Sequence, residues 1–479
     1  MQRSEACRPG VPTKSAAVGL AAAVGTYDNT LRATVESGAI IDAAEAVHVA
    51  SKVSFPSLSG GKSFRKDKFK PDDPDTGDFA ETITNALNGR GGLDQVFNVW
   101  VNSSSTATDF PVTVSVTGSV GMVAFTTVSE AVIQSGALIN QIRNAPAQTV
   151  SVDADNTLDL MNLAGNVKLE LDPARAKDIV REFKKNGSSP ISLISNQAGR
   201  VGLGGSALYQ SIDTTTTAHI DSGAKVRTGS AGGLTVDAKE QGVSLSIVQA
   251  GGASGTFGVS GSVSVLEHTS QTTATLANGV KITGGPIAVT ASSDLNYYNL
   301  AGATQVAGVV GVGASGAVTR VNRETNALIG TAAGSLPDTA GTDIATTRLT
   351  VAAKSTGDMV TVSVVGAVAE PGTATKLSGA AQSKLPLPVA VAVAGAVSVN
   401  EGGDTTRAFV NDTGLITVGD GAFDVIANND TRIIAVTGSL ALAAKKTVSV
   451  ALAGAVTINT LDSNTEAFVT GSTLSNAAP

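Results

Sequence analysis

Apolar and polar residues alternate along most of this chain with a period of two. In Val263-Ser264-Val265 and Val397-Ser398-Val399 every second side chain is apolar, which is typical of strands with one buried and one exposed face. Turn residues separate such runs at Gly284-Gly285-Pro286, at 401–404 and at 428–430. The pattern predicts an all-β protein with about four short strands in each repeating unit.

One repeated element begins with Gly and ends with Ala thirteen residues later. The spacing holds from Gly118, Gly205, Gly261, Gly395 and Gly454, and in a degenerate first copy Leu20 stands thirteen residues before an alanine. From Gly316 the alanine follows after only eleven residues, which predicts a turn shortened by two. We call the seven terminal alanines the anchor alanines: Ala33, Ala131, Ala218, Ala274, Ala327, Ala408 and Ala467.

A second element, apolar-x-Val-x-Ala, follows every copy of the first except the last. It ends at Ala154, Ala238, Ala291, Ala353 and Ala427, with a weaker copy at 47–51. The shorter spacings between anchor alanines define a unit of 53 to 59 residues, and the longer ones indicate insertions. Such repeats predict a right-handed parallel β-helix with two coils per unit of about 55 residues. The alternative, separate β-sandwich modules, is disfavoured because about 55 residues form only a small independent core.

The repeat divides the chain into segments. We expect an irregular segment at 1–15, the first repeat at 16–55, an insertion at 56–110, the second repeat at 111–155, an insertion at 156–196 and repeats three to seven at 197–479. Each of the two long insertions carries helix signals. Asp78 and Gly89 bracket a short helix, and Asp172 and Gly187 bracket an amphipathic one.

Composition narrows the class of protein. Hydrophobic residues make up 42% of the chain, which argues against disorder, and the 4% of aromatic residues suits a thin core of small side chains. The net charge of −7 gives no attraction for nucleic acid, and Cys7 is the only cysteine. The apolar stretch 300–318 is rich in glycine, so we expect no membrane span. Residues 1–10 do not resemble a signal peptide, and we expect the chain to be part of a longer protein.

No pattern of catalytic residues emerges. His48, His219 and His268 are interpreted as structural, the last of them in a turn, and no metalloprotease, serine hydrolase or P-loop motif is present. Polysaccharide lyases and hydrolases place paired acids on an exposed β-helix face. Asp153 and Asp237 occupy the same position of the repeat, but Thr, Ala and Ile stand there in other copies. We therefore expect no enzyme, and keep a carbohydrate-active enzyme as the alternative.

Calcium is the one candidate cofactor. Asp153, Asp155 and Asp159 offer carboxylates at nearly alternate positions, like the front of a calcium loop, although the turn glycine and the distal glutamate of such a loop are missing. A second acidic cluster lies at 72–78. The sequence thus predicts calcium binding at Asp153, Asp155 and Asp159.

The repeats resemble those of a known family. Units of the form Gly-Ala-Val-x-Val-Asn…Thr-x-Ala-Phe-Val, followed by apolar-x-Val-x-Ala, are similar to repeats of bacterial filamentous adhesins, in particular leukotoxin-like filamentous adhesins and other large β-strand-repeat exoproteins. The resemblance covers 16–54, 111–154 and 201–479. It implies a secreted, surface-attached protein with a β-helical stalk. A hemagglutination-type secretion domain and a C-terminal membrane-anchoring domain are not visible.

These observations lead to one functional hypothesis. We expect the structural or adhesive stalk or passenger region of a bacterial adhesin, extracellular or attached to the outer membrane at the cell surface. Its partners would be ligands on host cells, matrix or bacterial surfaces, bound through the insertions, with self-association as a further option. Alternatives are the carbohydrate-active enzyme and a purely structural fibre or surface-layer segment.

Overall fold

The computed structural model describes residues 16–55, 98–103, 105–107, 114–142, 145–165, 196–198, 200–331, 342–369, 389–411, 413–419, 421–443 and 448–476. Regular structure in this part of the chain consists of strands. The two predicted helices, at 78–89 and 172–187, lie outside the described residues.

The strands form three parallel sheets. The first sheet contains seven long strands in the order β1 (Ala16–Val35), β6 (Val114–Ile133), β10 (Val201–Ile220), β13 (Phe257–Ala277), β16 (Val310–Gly330), β19 (Val389–Asn411) and β22 (Val448–Thr470). The second sheet contains seven short strands, β2 (Ile40–Ile41), β7 (Leu138–Ile139), β11 (Lys225–Arg227), β14 (Lys281–Thr283), β17 (Asp343–Thr346), β20 (Leu415–Val418) and β23 (Thr473–Asn476).

The third sheet is built mainly from the second repeated element. Its path runs through β3 (Ala46–Phe55), β8 (Thr149–Gly165), β12 (Gly233–Ser254), β15 (Ile287–Ala307), β18 (Leu349–Ala369) and β21 (Phe423–Ala443). Three short strands, β4 (Val99–Val101), β5 (Ser105–Ala107) and β9 (Asn196–Ala198), attach to it. The chain passes through the three sheets in turn, so the fold is a parallel β-solenoid.

Strand register confirms the repeat. The anchor alanines pair in sequence across all seven strands of the first sheet. The second element is also in register, from Val47 through Val150, Leu234, Ile287 and Leu349 to Phe423. Leu20 pairs with Gly118, as the degenerate first copy predicts.

The prediction of two coils with four short strands per unit is wrong. Each unit forms one turn, made of a long strand, a short strand and a second long strand. Of the three predicted turns only the one at 284–286 falls between strands, whereas 401–404 lies inside β19 and 428–430 inside β21. Asp404 points into the polar interior layer described below, whereas Asn428 and Asp430 are exposed residues of β21.

Two further predictions need correction. Ala314, not Gly316, pairs with Gly261 and Gly395, so the fifth unit keeps the thirteen-residue spacing and its turn is not shortened. The insertion expected from Asn156 begins later, since β8 continues to Gly165. Within the other long insertion, β4 and β5 pair with β8 and β9.

The apolar core fills the end of each turn that the second sheet closes. Six of the seven anchor alanines, the alanines that end the second element in the third sheet, and Ile and Val side chains of the second sheet meet there in one cluster, in which Ala33 and Ala427 are partly buried. Ala467, in the last turn, is exposed. Ala274, Ile282 and Ala291 represent one turn of this cluster. Small residues at the anchor positions allow three sheets to converge in a narrow cross-section.

At the opposite end the first and third sheets lie directly against each other. Their facing side chains are small, for example Ser260, Ser262, Ala301 and Ala303. An added Cβ on Gly311 would lie 2.8 Å from the backbone oxygen of Val368 in the facing sheet, so larger inward side chains do not fit. The larger apolar side chains of these strand segments point outward instead.

The molecule is wider than its stack is tall. The 23 residues of β19 extend about 75 Å at about 3.3 Å per residue, and seven stacked strands span about 29 Å at about 4.8 Å per strand. Residues 300–318, apolar enough to resemble a membrane segment, lie at the end of β15, at the start of β16 and in the two residues between them. No helix among the described residues is long and apolar enough to cross a membrane.

Candidate functional site

A buried polar layer borders the apolar core and contains buried ionisable side chains, among them Glu240, Arg323 and Asp404. It is formed by residues two and four positions before the anchor alanines of the first sheet and by residues two positions after Ala238, Ala291 and their equivalents. An even offset from an anchor alanine places a side chain inside the solenoid, because strand side chains alternate between faces.

Glu240 is the centre of this layer. Its side chain is fully buried, and its carboxylate accepts hydrogen bonds from Thr214, Ser270 and Thr272, the last at 2.9 Å. These hydroxyls come from β10 and β13, across the interior from β12. Hydroxyl donors compensate the cost of removing a carboxylate from water, which is large for an unpaired ion.

His268 extends the network toward the third sheet. Nε2 lies 3.0 Å from the Thr214 hydroxyl and Nδ1 lies 2.7 Å from the Tyr297 hydroxyl. Since Thr214 donates its proton to Glu240, the consistent arrangement has the Nε2 proton donated to Thr214 and the Tyr297 proton donated to Nδ1. Burial, together with the nearby Arg323 cation, lowers the pKa of His268 to about 3, so the imidazole is neutral. The prediction that His268 lies in a turn is wrong, because it lies inside β13.

A buried ion pair lies on the next two strands of the first sheet, β16 and β19. Arg323 on β16 donates to Asp404 on β19 and to the backbone oxygen of Thr356, the latter at 2.7 Å. Thr431 on β21 donates to the same Asp404 oxygen at 2.6 Å. Both charged side chains are almost fully buried. Burial raises the pKa of neighbouring Tyr297 well above its ordinary value, so this hydroxyl stays protonated.

The cluster has catalytic residue types but a structural environment. Glu240, His268, Arg323 and Asp404 are at most 4% exposed, so a substrate outside the solenoid does not reach them. Each polar contact described above joins different strands. The arrangement therefore joins successive turns and facing sheets through hydrogen bonds, which is a structural role. Two atoms of the ion pair, Arg323 Nε and Asp404 Oδ1, are buried without a hydrogen-bond partner among the described residues.

Sequence reasoning missed Glu240, Arg323 and Asp404, although a signal for them was present. Glu240 stands two residues after Ala238, and the other two stand four residues before Ala327 and Ala408. All three offsets are even, which places these ionisable side chains inside. Counting parity from the anchor alanines identifies them without the structure.

The predicted calcium ligands lie along one face of β8. Asp153, Asp155 and Asp159 all stand at outward positions of this extended strand, where successive same-face residues are about 6.7 Å apart. A calcium loop brings its ligands together by folding back, which an extended strand does not do. Among the described residues no three His, Cys, Asp or Glu side chains are grouped to hold a metal ion. Calcium binding stays a prediction. The cluster at 72–78 lies outside the described residues.

One pair of carboxylates does meet on the outer face of the third sheet. Asp153 and Asp237 are register partners on β8 and β12. Ser151 donates to Asp153 at 2.7 Å, and Thr290 donates to Asp237. Burial and the nearby charges of Asp153 and Asp155 raise the pKa of Asp237.

The remaining histidines are peripheral. His48 on β3 is exposed, with Nδ1 2.8 Å from the Ser151 hydroxyl. His219 on β10 lies 3.4 Å from Asp221, and its register partners Val132 and Thr275 share no chemistry with it. Outward ion pairs also connect neighbouring strands, as where Arg320 lies 3.1 Å from Glu267 and 2.9 Å from Glu401.

Comparison with protein-family models, with curated proteins and with solved structures finds no match.

Proposed function

We propose that this chain is the structural and adhesive passenger region of a bacterial secreted or surface-attached adhesin, and that it works through the breadth of its sheets. The observation that carries the proposal is the shape of one turn. Each unit of about 55 residues contributes only about 4.8 Å along the stack, while its two long strands add to faces about 70 Å wide. Such a turn adds little length to the stack for its number of residues, but it adds a large exposed surface.

The resemblance of the repeats to filamentous adhesins supports an extracellular role at the cell surface. The interior supports a mechanical one, because polar contacts such as Glu240–Thr272 and Asn400–Asn459 tie strands of different turns together. Right-handed winding and ligand-binding insertions belong to the same proposal. The binding partners are ligands on host cells, matrix or other bacteria.

Bead adhesion tests the proposal. Beads coated with the full chain are applied under flow to epithelial cell monolayers and to collagen-coated and fibronectin-coated surfaces, with albumin-coated beads as control. Retention well above the albumin control on at least one surface is expected. Retention equal to albumin on all of them contradicts the adhesive role.

The carbohydrate-active enzyme remains a second candidate because of Asp153 and Asp237. A raised pKa at one of two adjacent carboxylates is the arrangement that acid–base cleavage of a glycosidic bond uses. Incubation of the chain with pectin, alginate and hyaluronan, followed by detection of new chain ends, checks it. Cleavage that is lost in Asp237→Asn establishes the enzyme and contradicts a purely adhesive passenger.

A further inference from the structure

The outer face of the first sheet divides into a polar half and an apolar half. In the half nearer the anchor alanines, outward residues are polar, for example Thr269, Gln271 and Thr273 on β13. In the other half every second residue from seventeen to nine positions before the anchor alanine is apolar or glycine. We call this surface the apolar flank; on β13 its members are Phe257, Val259, Gly261, Val263 and Val265.

In the apolar flank the larger apolar side chains point outward and the small polar ones point inward, the reverse of the usual distribution in a half-buried sheet. The inward neighbours Ser260, Ser262 and Ser264 are at most 1% exposed, whereas outward Val263 is 48% exposed. The same holds in other turns, where Val120 is 46% and Val397 is 42% exposed. Small residues are required inside because the sheets approach closely, so this half of the sheet places its larger apolar side chains outside.

The apolar flank is large enough for a stable protein interface. Seven strands and nine residues of each strand cover roughly 29 by 26 Å, or about 750 Å². A standard interface buries about 800 Å² on each partner. Contiguous exposed apolar areas of this size mark interaction sites on soluble proteins.

The chemistry of the apolar flank limits its occupant. Among the described flank side chains only Tyr209 carries a polar atom, and its hydroxyl donates to Glu267 at the edge at 2.6 Å. The backbone groups are used in the parallel ladders. A glycan or a polar peptide would find few hydrogen-bond partners here, so the occupant must be flat and apolar.

An anionic lipid surface does not suit the edge of the apolar flank. Seven residues before the anchor alanines, the edge carries Glu267 and Glu401 on either side of Arg320. The whole chain has a net charge of −7. Both features repel anionic headgroups, which attract clusters of Lys and Arg instead.

The relief of the apolar flank is self-complementary. A groove crosses the sheet at the position thirteen residues before the anchor alanines, where most strands carry glycine. Its glycines are Gly118, Gly205, Gly261, Gly395 and Gly454, and the two other strands carry Ala314 and Leu20 at this position. Fifteen residues before the anchors, a ridge of Val and Leu runs beside it; on the six strands after β1 it consists of Val116, Leu203, Val259, Val312, Val393 and Leu452.

We propose that a second copy of this chain covers the apolar flank, in a two-fold dimer whose axis runs parallel to the stack between ridge and groove. This axis places each ridge over the partner's groove. It also places the row eleven before the anchors opposite the row seventeen before, strand by strand, so that Val201 faces the partner copy's Ala207, Val310 its Gly316 and Phe257 its Val263. The overlap from row seventeen to row eleven covers roughly 20 by 29 Å, or about 580 Å² on each copy, and the total of about 1,160 Å² exceeds the roughly 1,000 Å² that a specific interface needs. The Glu267–Arg320–Glu401 edges of the two copies then lie at opposite sides of the interface, so like charges do not meet. Isologous contacts of this kind are the commonest way in which homodimers form.

The proposal goes beyond the adhesive role and stands or falls independently of it. Sedimentation equilibrium of the full chain from about 1 to about 100 µM, a range in which standard interfaces bind, gives the mass directly. We expect twice the 47.7 kDa of one chain. A chain that stays at 47.7 kDa throughout this range overturns the dimer.

Two variants test the fit of ridge and groove. Val259→Lys puts a charge on the ridge and is expected to raise the dissociation constant at least about 100-fold, because a charge would be buried without a partner. Gln271→Lys, on the polar half of the same strand, is the matched control and should leave the dissociation constant unchanged. Equal effects of the two changes overturn the proposal.

Gly395→Val separates a fitted dimer from general stickiness. An added Cβ at Gly395 meets no atom within 4 Å in the monomer, and Val favours strands, so the variant should fold. It fills the groove while adding apolar surface. A fitted dimer weakens at least about tenfold, whereas unspecific apolar association strengthens and contradicts the proposal.

Three outcomes separate the dimer from lipid binding and from the adhesive role. Co-sedimentation of a monomeric wild-type chain with phosphatidylcholine vesicles, lost in Val259→Lys, assigns the apolar flank to lipid and overturns the dimer. A monomeric chain whose beads are still retained in the adhesion assay overturns the dimer and leaves the adhesive role intact. A dimeric chain whose beads are not retained contradicts the adhesive role and leaves the dimer intact.

Discussion

His268 lies inside β13, and its side chain is almost fully buried. It stands in the polar run Glu267 to Gln271, which reads as a turn. Its inward neighbours on the facing strands are Glu240 and Tyr297, so the run is polar on both faces of a strand. Hydrophobic alternation detects a strand only where the interior is apolar, and here the interior is not.

The buried imidazole should make stability depend on acid pH. The pKa of His268 falls from 6.5 to about 3 on folding, through burial and the Arg323 charge, with Glu240, Tyr297 and Asp404 completing the surroundings. Between these values the unfolded chain binds one more proton than the folded chain. The free energy of unfolding contributed by this group is therefore complete above pH 6.5 and falls by about 1.4 kcal/mol per pH unit down to about pH 3.

Denaturant unfolding at several pH values checks this. His268→Gln should show a flatter decline of the unfolding free energy than the wild type between pH 6.5 and 3. His48→Gln, at an exposed position, should follow the wild type. Parallel curves for His268→Gln and the wild type would mean that the histidine is not buried in its neutral form.

The anchor alanines were predictable from the sequence because each must be small. All three sheets converge on them, and Ala131, Ala218, Ala274, Ala327 and Ala408 are fully buried. A position that tolerates one residue type repeats visibly in a single sequence. Glu240 and Arg323 did not repeat, since each turn fills the polar layer differently, and only their parity relative to the anchors marked them.

Strands of the third sheet contain a local break that depends on glycine. Pairing between β15 and β18 omits Leu295 and Asn296 opposite Gly357 and Asp358. Gly357 has a φ of +146°, and an added Cβ would lie 1.8 Å from the Leu295 backbone oxygen. The break lets Asp358 reach Arg432 on the next strand, 2.9 Å away.

Gly357→Ala should lower the free energy of unfolding by about 2 to 4 kcal/mol, because both the backbone conformation and the contact become unfavourable. Gly438→Ala is the matched control. It lies in β21 of the same sheet with no atom within 4 Å of an added Cβ, and it should change the free energy by less than about 0.5 kcal/mol. Chemical denaturation measures both, and equal effects would contradict the strained break at Gly357.

Element lengths were the part of the fold that sequence reasoning missed. The strands were expected to be short because glycines and polar pairs such as Gly402-Gly403 interrupt the apolar alternation. In the structure these residues continue β19, since hydrogen bonds to neighbouring strands on both sides hold the backbone extended. Neighbour pairing, which a local pattern does not contain, overrides the turn preference of Gly and Asn.

At the scale of the whole molecule, the repeat spacing was sufficient to predict a parallel solenoid, but its cross-section was not predictable. A unit of about 55 residues is compatible with two narrow coils or one wide coil. The small inward residues of the first and third sheets favour the wide coil, because they allow two long strands to pack directly against each other. The result is a broad slab in which half of the outer face of the first sheet is apolar.

The separation of equivalent positions in adjacent units tests the wide single turn most directly. Spin labels at Asp213→Cys and Thr269→Cys, in a Cys7→Ser background, occupy exposed register partners on β10 and β13. Asn322→Cys continues the same row on β16. We expect the strong dipolar broadening of backbones about 4.8 Å apart for the 213/269 pair, and the weaker coupling of about 10 Å for the 213/322 pair. A 213/269 separation of about 10 Å, as in two coils per unit, or beyond about 20 Å, as in separate modules, would contradict the fold on which every proposal above depends.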